Sequence, residues 1–119
     1  MKLRILLDEH LSTRIVGAVL RLDPTIEICR IGDPGAPPLQ TQDPDILRFA
    51  EAAQQALVCR DYATIPTHAL EHIAAGGQHW GIFLLRPQTG IGQLAEALYL
   101  LWEGSDATEW VNRVEWLPF

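Results

Sequence analysis

The sequence predicts an α/β domain built on a mainly parallel sheet, and three observations predict it. Apolar runs of strand length, "LRILL" (Leu3–Leu7), "ALVCRD" (Ala56–Asp61) and "WGIFLLR" (Trp80–Arg86), suit strands covered on both faces. Segments with apolar residues at helical spacing separate them. The order that results, strand and helix by turns, is the alternation of βαβ units.

Each element has its own warrant. After Leu7 the pattern changes, and Ile15, Val16, Val19 and Leu20 recur at helical spacing, with Ser12 or Thr13 able to cap the start. "DPT" at 23–25 ends that helix, and "IEICRI" (Ile26–Ile31) alternates as a second strand. "GDPGAPPLQTQ" (Gly32–Gln42) is too rich in Gly and Pro for helix or central strand. In "DPDILRFAEAAQQA", Asp43 reads as an N-cap, Pro44 as the first helical residue and Asp45 as a complement to the helix dipole. "TIPTHALEHIAAGG" reads as a helix begun by Thr64 and ended by Gly76 and Gly77. Ile91–Trp102 is an amphipathic helix, and "WVNRVEWLPF" predicts a short edge strand that Pro118 terminates.

Composition sets the outer limits. At 119 residues, 48% apolar and 20% charged, the chain fits one globular domain, residues 1–119, without repeats or linkers. A net charge of −6 argues against broad attraction to nucleic acid, yet a metal-dependent nuclease concentrates carboxylates in its site. Cys29 and Cys59 lie in strand-like runs without a CxxC, which predicts buried free thiols in a reducing cytoplasm. No apolar run approaches the length of a membrane span or a signal peptide.

Charge marks the strand ends. Asp8 and Glu9 follow the first strand, Asp61 follows the third, and Asp43 heads a helix. Ligands of parallel sheets bind beyond the carboxyl ends of the strands, so these acids fall on one predicted rim. Carboxylates from distant segments suit hard cations such as Mg²⁺ or Mn²⁺, which activate water and hold a phosphodiester for attack.

Taken in order, "ILLDEHLSTRIVGAVL", "DPDILRFA", "ALVCRDYATIP" and "GIFLLR" resemble the PIN-like domains of unknown function, over about residues 3 to 117. The resemblance implies a three-layer α/β/α sandwich with a central mainly parallel sheet. It also implies relatedness to Mg²⁺-dependent ribonucleases, including the toxins of VapBC-type toxin–antitoxin pairs. Position by position, Asp8 and Glu9 match the family's opening acidic pair, Asp43 the aspartate at the second helix, and Asp61 the first aspartate of the middle motif. Three positions depart from the family: His10 replaces an Asn, Ala63 stands where a second aspartate of the middle motif is common, and Thr64 stands where a Phe is common. The implied function is hydrolysis of RNA by metal-activated water in a toxin-like protein with a small antitoxin as partner. Asp8, Asp43 and Asp61 would hold the metal, with Glu9 as a further ligand or water-orienting base. The alternative is a catalytically inactive PIN-like scaffold that binds a protein.

Other roles stay open for each residue. Asp43 is a cap alone or a cap and a ligand; Glu9 is a ligand or a solvated residue of the first helical turn. Asp8 and Asp61 are a functional pair or the partners of Arg14, Arg60 or Arg86 in structural ion pairs. His10, Arg14, Arg60 and Thr64 are candidate phosphate contacts; Thr64 reads first as a helix cap. His68 and His72 share a helix face without a HExxH pattern and read as solvated. Trp80 reads as core. Trp102, Trp110 and Trp116 are core or a sticky face for a homodimer or an antitoxin, docked through the C-terminal helix.

Overall fold

The structure, a computed structural model, describes residues 1–119. The elements run β1 (Arg4–Leu7), α1 (Arg14–Leu22), β2 (Glu27–Arg30), α2 (Asp43–Ala53), β3 (Ala56–Cys59), α3 (Ile65–Ala74), β4 (Ile82–Leu85), α4 (Ile91–Gly104), a short 3₁₀ turn (Ala107–Trp110) and β5 (Val114–Leu117). All strand pairs are parallel, in the order β2-β1-β3-β4-β5. The α/β/α sandwich is therefore present, and the C-terminal strand is an edge as its sequence predicts. No helix is long and apolar enough to cross a membrane.

The pleat divides the core in two. Ile5 and Leu7 of β1, Val58 of β3 and Phe83 and Leu85 of β4 point to one face, where they pack with Ile15 and Val19 of α1 and Leu94 and Leu98 of α4. Leu6, Leu57, Cys59, Ile82 and Leu84 point to the other, against Ile46, Leu47 and Ala50 of α2 and Ile65 and Ala69 of α3. Strands buried on both faces explain why the sequence shows apolar runs rather than alternation.

Strand order reverses at β1. The chain leaves β1 for β2 on one side, then passes back over β1 to β3 on the other. Right-handed crossovers then put α1 and α2 on opposite faces, which opens a crevice between the carboxyl ends of β1 and β3.

Several boundaries differ from expectation, each for a local reason. The helix of residues 43–53 begins at Asp43 itself, with Gln42 at the cap position and no side-chain cap bond. Pro44 lacks an N–H and pre-sets a helical φ, so the turn forms without a cap and the Asp43 carboxylate is not spent on capping. At α1 it is Ser12, not Thr13, whose hydroxyl accepts a backbone N–H, from Arg14 at 3.1 Å. Thr64 precedes α3 without capping it. Trp80 lies outside β4 and is half-buried, its indole N–H donating to the Glu51 carbonyl at 3.2 Å. Gly81, at φ +115°, begins the entry to β4; a Cβ there would meet the Trp110 side chain at 3.0 Å.

Candidate functional site

A cavity of about 90 Å³ opens at the crevice, lined by Asp8, Glu9, His10, Thr41, Asp43, Ile46, Leu57, Cys59, Asp61 and Ile65. The four acids singled out from the sequence thus meet in one place. Its floor is the sheet face that carries α2 and α3, and the start of α2 and the approach to α3 form its sides.

Asp8 continues β1 by one ladder bond, its N–H donating to the Val58 carbonyl at 2.9 Å, which fixes its place in the crevice. No side chain donates to its carboxylate. Burial pushes its pKa above the ordinary 3.8; His10 and the backbone N–H groups of Glu9 and His10 pull it down, and Glu9 adds to the rise. Burial thus disfavours the charged form of Asp8, and a cation at its oxygens would favour it.

Asp61 has a different environment. One oxygen accepts the N–H groups of Ala63 at 3.1 Å and Thr64 at 2.9 Å, and the other accepts the Thr64 hydroxyl. Those bonds, the Thr64 hydroxyl first, hold the Asp61 carboxyl below the usual carboxylate range. Asp61 thus satisfies backbone donors ahead of α3, the task expected of Thr64. The Thr64 hydroxyl also lies 3.4 Å from Asp43 Oδ2, so it ties Asp61 to Asp43 across the rim. His68 Nε2 stands 3.9 Å from the same Asp43 oxygen. Glu9 Oε1 accepts the N–H of Gln40 at 2.7 Å, which pins the Pro-rich loop to the end of β1.

The basic residues are placed otherwise than the ion-pair reading expects. Arg14 and Arg60 are exposed and do not line the cavity, and Arg86 donates to the Pro118 carbonyl at 2.7 Å. None pairs with Asp8 or Asp61, so structural ion pairs do not account for these acids. Arg30, which the sequence reading overlooks, does structural work: its guanidinium donates to the carbonyls of Glu9 and Leu11. A single Arg at the end of "IEICR" gives no hint of that, because the carbonyls come from another segment. Thr41 was also overlooked; its hydroxyl bonds the Pro38 carbonyl at 2.6 Å and shapes the cavity mouth.

The histidines of the α3 region are not a solvated face. His72 pairs with Glu51 at 2.6 Å and reaches the Gln78 carbonyl at 3.0 Å, linking α3 to α2. His79, beyond α3, is buried. Cys59 is buried in the cavity floor, while Cys29 is only half-buried. Burial first, then the charge of Asp8, pushes the Cys59 thiol up to about 12.

The donor set suits a hard cation: all four acids offer oxygen, and Asp8 has no side-chain partner to give up. The cavity has room for several waters, each needing roughly 10–15 Å³ of such space. As placed, no three His, Cys, Asp or Glu side chains stand close enough to form a metal-holding group. Asp43 and Asp61 are drawn to Thr64 instead. Comparison with protein-family models, with curated proteins and with solved structures brings no match for this chain.

Proposed function

We propose that this rim binds Mg²⁺ or Mn²⁺ and hydrolyses phosphodiesters of RNA, in keeping with the resemblance to PIN-like ribonucleases. One observation carries the reading. Acids from three distant segments share a cavity of about 90 Å³ at the switch in strand order, and Asp8 there is desolvated and unpaired. Asp8 is the first ligand, with Asp43 and Asp61 completing the set. When bound, the cation would supply Lewis acidity and an activated water. Glu9, on the rim beside Asp8, would orient that water. His10 lines the cavity and contacts phosphate; Arg14 and Arg60 lie outside it and draw the rest of the chain of nucleotides. In such a protein the cytoplasm is the working compartment and a small antitoxin is the natural restraint.

Thermal unfolding with EDTA and with millimolar Mn²⁺ tests this. Binding at 100 times Kd adds about 2.7 kcal/mol of stability. For 119 residues that is a rise of about 10 °C. The rise is expected in the wild type and lost in Asp8→Asn, and Mn²⁺-dependent cleavage of RNA is lost with it. A wild type indifferent to Mn²⁺ refutes the reading.

A second reading has its own support. The oxygens of Asp61 are engaged by its own loop, and Ala63 supplies no further acid. Those features suit a catalytically inactive scaffold that binds a protein. Asp61→Asn separates the two, since an amide oxygen still accepts the N–H groups of Ala63 and Thr64 but loses the charge. Weakened Mn²⁺ binding in that variant favours the enzyme.

A further inference from the structure

β5 is the open edge of the sheet, beyond β4. At the opposite edge, the N–H of Arg30 in β2 is closed off by Asp33 Oδ2 at 2.8 Å. β5 has no such cover. Its ladder with β4 runs through odd-numbered residues: Ile82 donates to the Arg113 carbonyl at 3.0 Å and Arg86 to the Leu117 carbonyl at 2.7 Å. In a parallel pair, a residue bonded to one neighbour turns both its N–H and its C=O that way. Val114 and Trp116 therefore present theirs outward, and no bond outside the ladder uses them. Both side chains are also exposed, at 40% and 37%, and Phe119 beside them at 70%. Such an edge is a template for another strand.

Charge selects which strand fits. Arg113 and Glu115 project from the same face of β5, their charged ends 2.8 Å apart, and Arg113 is held over the Trp110 ring at 4.5 Å. A second β5 running antiparallel can meet the outward groups in three symmetric registers. Centred on Trp116, it sets Glu115 opposite Leu117, so no opposite charges meet, and Val114 opposite Pro118, which has no N–H to donate. Centred on Glu115, it sets two carboxylates directly opposite, which is destabilising. Centred on Val114, it sets Arg113 opposite the second copy's Glu115, and Glu115 opposite the second copy's Arg113; the Val114 pair carries the strand bonds, while Trp116 faces Asn112, whose N–H stays on the His79 carbonyl at 2.9 Å. We propose that two copies of this chain join β5 to β5 in that register, about a two-fold axis, as one continuous sheet. The proposal stands apart from the chemistry of the rim.

Sedimentation of the full chain at micromolar concentration tests it. The wild type is expected at twice 13.3 kDa. Arg113→Glu and Glu115→Arg, each alone, set like charges opposite and are expected as monomers. Mixed in equal amounts, they restore the dimer, because acidic pairs on one chain then face basic pairs on the other. The double exchange, Arg113→Glu with Glu115→Arg, restores a homodimer and guards against either single variant failing to fold. A monomeric wild type overturns the proposal. So does a single variant that still dimerises, or a double exchange that stays monomeric while melting like the wild type.

Discussion

Acidification from pH 7 to pH 5 is expected to destabilise this protein through His79. The ring is 2% exposed. Its Nδ1 accepts the Gly81 N–H at 3.2 Å, so the neutral ring carries its proton on Nε2, which has no acceptor. Protonating Nδ1 would set a donor against the Gly81 N–H. Burial, with the charge of His72 adding to it, lowers the pKa from 6.5 to about 4. Below pH 6.5 the unfolded ring takes a proton and the folded one does not until about pH 4. The unfolded state thus binds more protons in that window, and stability falls as pH falls. At pH 5 about 1.5 pKa units of the gap have been crossed, or about 2 kcal/mol. For a chain of this length that is a loss of about 8 °C in Tm. The assay is Tm at pH 7 and pH 5, for wild type and for His79→Gln, whose amide oxygen can still accept from Gly81. Other titrating groups cancel in the difference, leaving the wild type more acid-sensitive by about 8 °C. Equal sensitivity in the two proteins refutes the reasoning, as does an imidazole that titrates by NMR at or above 6.5.

Three further outcomes follow from the rim. Thr64→Val removes the hydroxyl shared by Asp61 and Asp43, so the Asp61 pKa should rise towards 3.8, read by carboxyl NMR, with a stability loss of about 1 kcal/mol above that pH. Asp61→Ala, which abandons the Ala63 and Thr64 N–H groups, should cost about as much again by denaturant unfolding. Cys59, with its pKa at about 12, holds only about one thiolate in 10⁴ at pH 8, so a thiol reagent should label it only after unfolding.

The fold was legible because its three central strands are buried on both faces, and continuous apolar runs such as 82–85 survive without reference to the partner strands. Bringing Asp8, Asp43 and Asp61 to one cavity was legible for a related reason: a parallel sheet puts all its carboxyl ends on one rim. Partnerships across that rim were not. The exchange of roles between Thr64 and Asp61 depends on which oxygen reaches which N–H, and either residue type caps equally well on paper. Asp43 looked like a cap because Pro44 follows it, yet the same proline makes the cap dispensable. Arg30 and His72 act through a carbonyl or carboxylate in another segment, and spacing along the chain carries no trace of that. His79 gave no local sign of burial, since it sits between a polar turn and a tryptophan.

The sheet also works as a partition between two kinds of sequence freedom. The layer of α1 and α4 contributes no lining residue to the rim cavity, whereas Ile46, Leu57, Cys59 and Ile65 belong to the opposite layer. Repacking Ile15, Val19, Leu94 and Leu98 with residues of equal volume can therefore raise or lower thermal tolerance while the cavity keeps its shape. Changes behind Leu57 or Ile65 alter both at once. A lineage under pressure to withstand heat, or an engineer with the same aim, has one side of this molecule to rewrite and the other to leave alone.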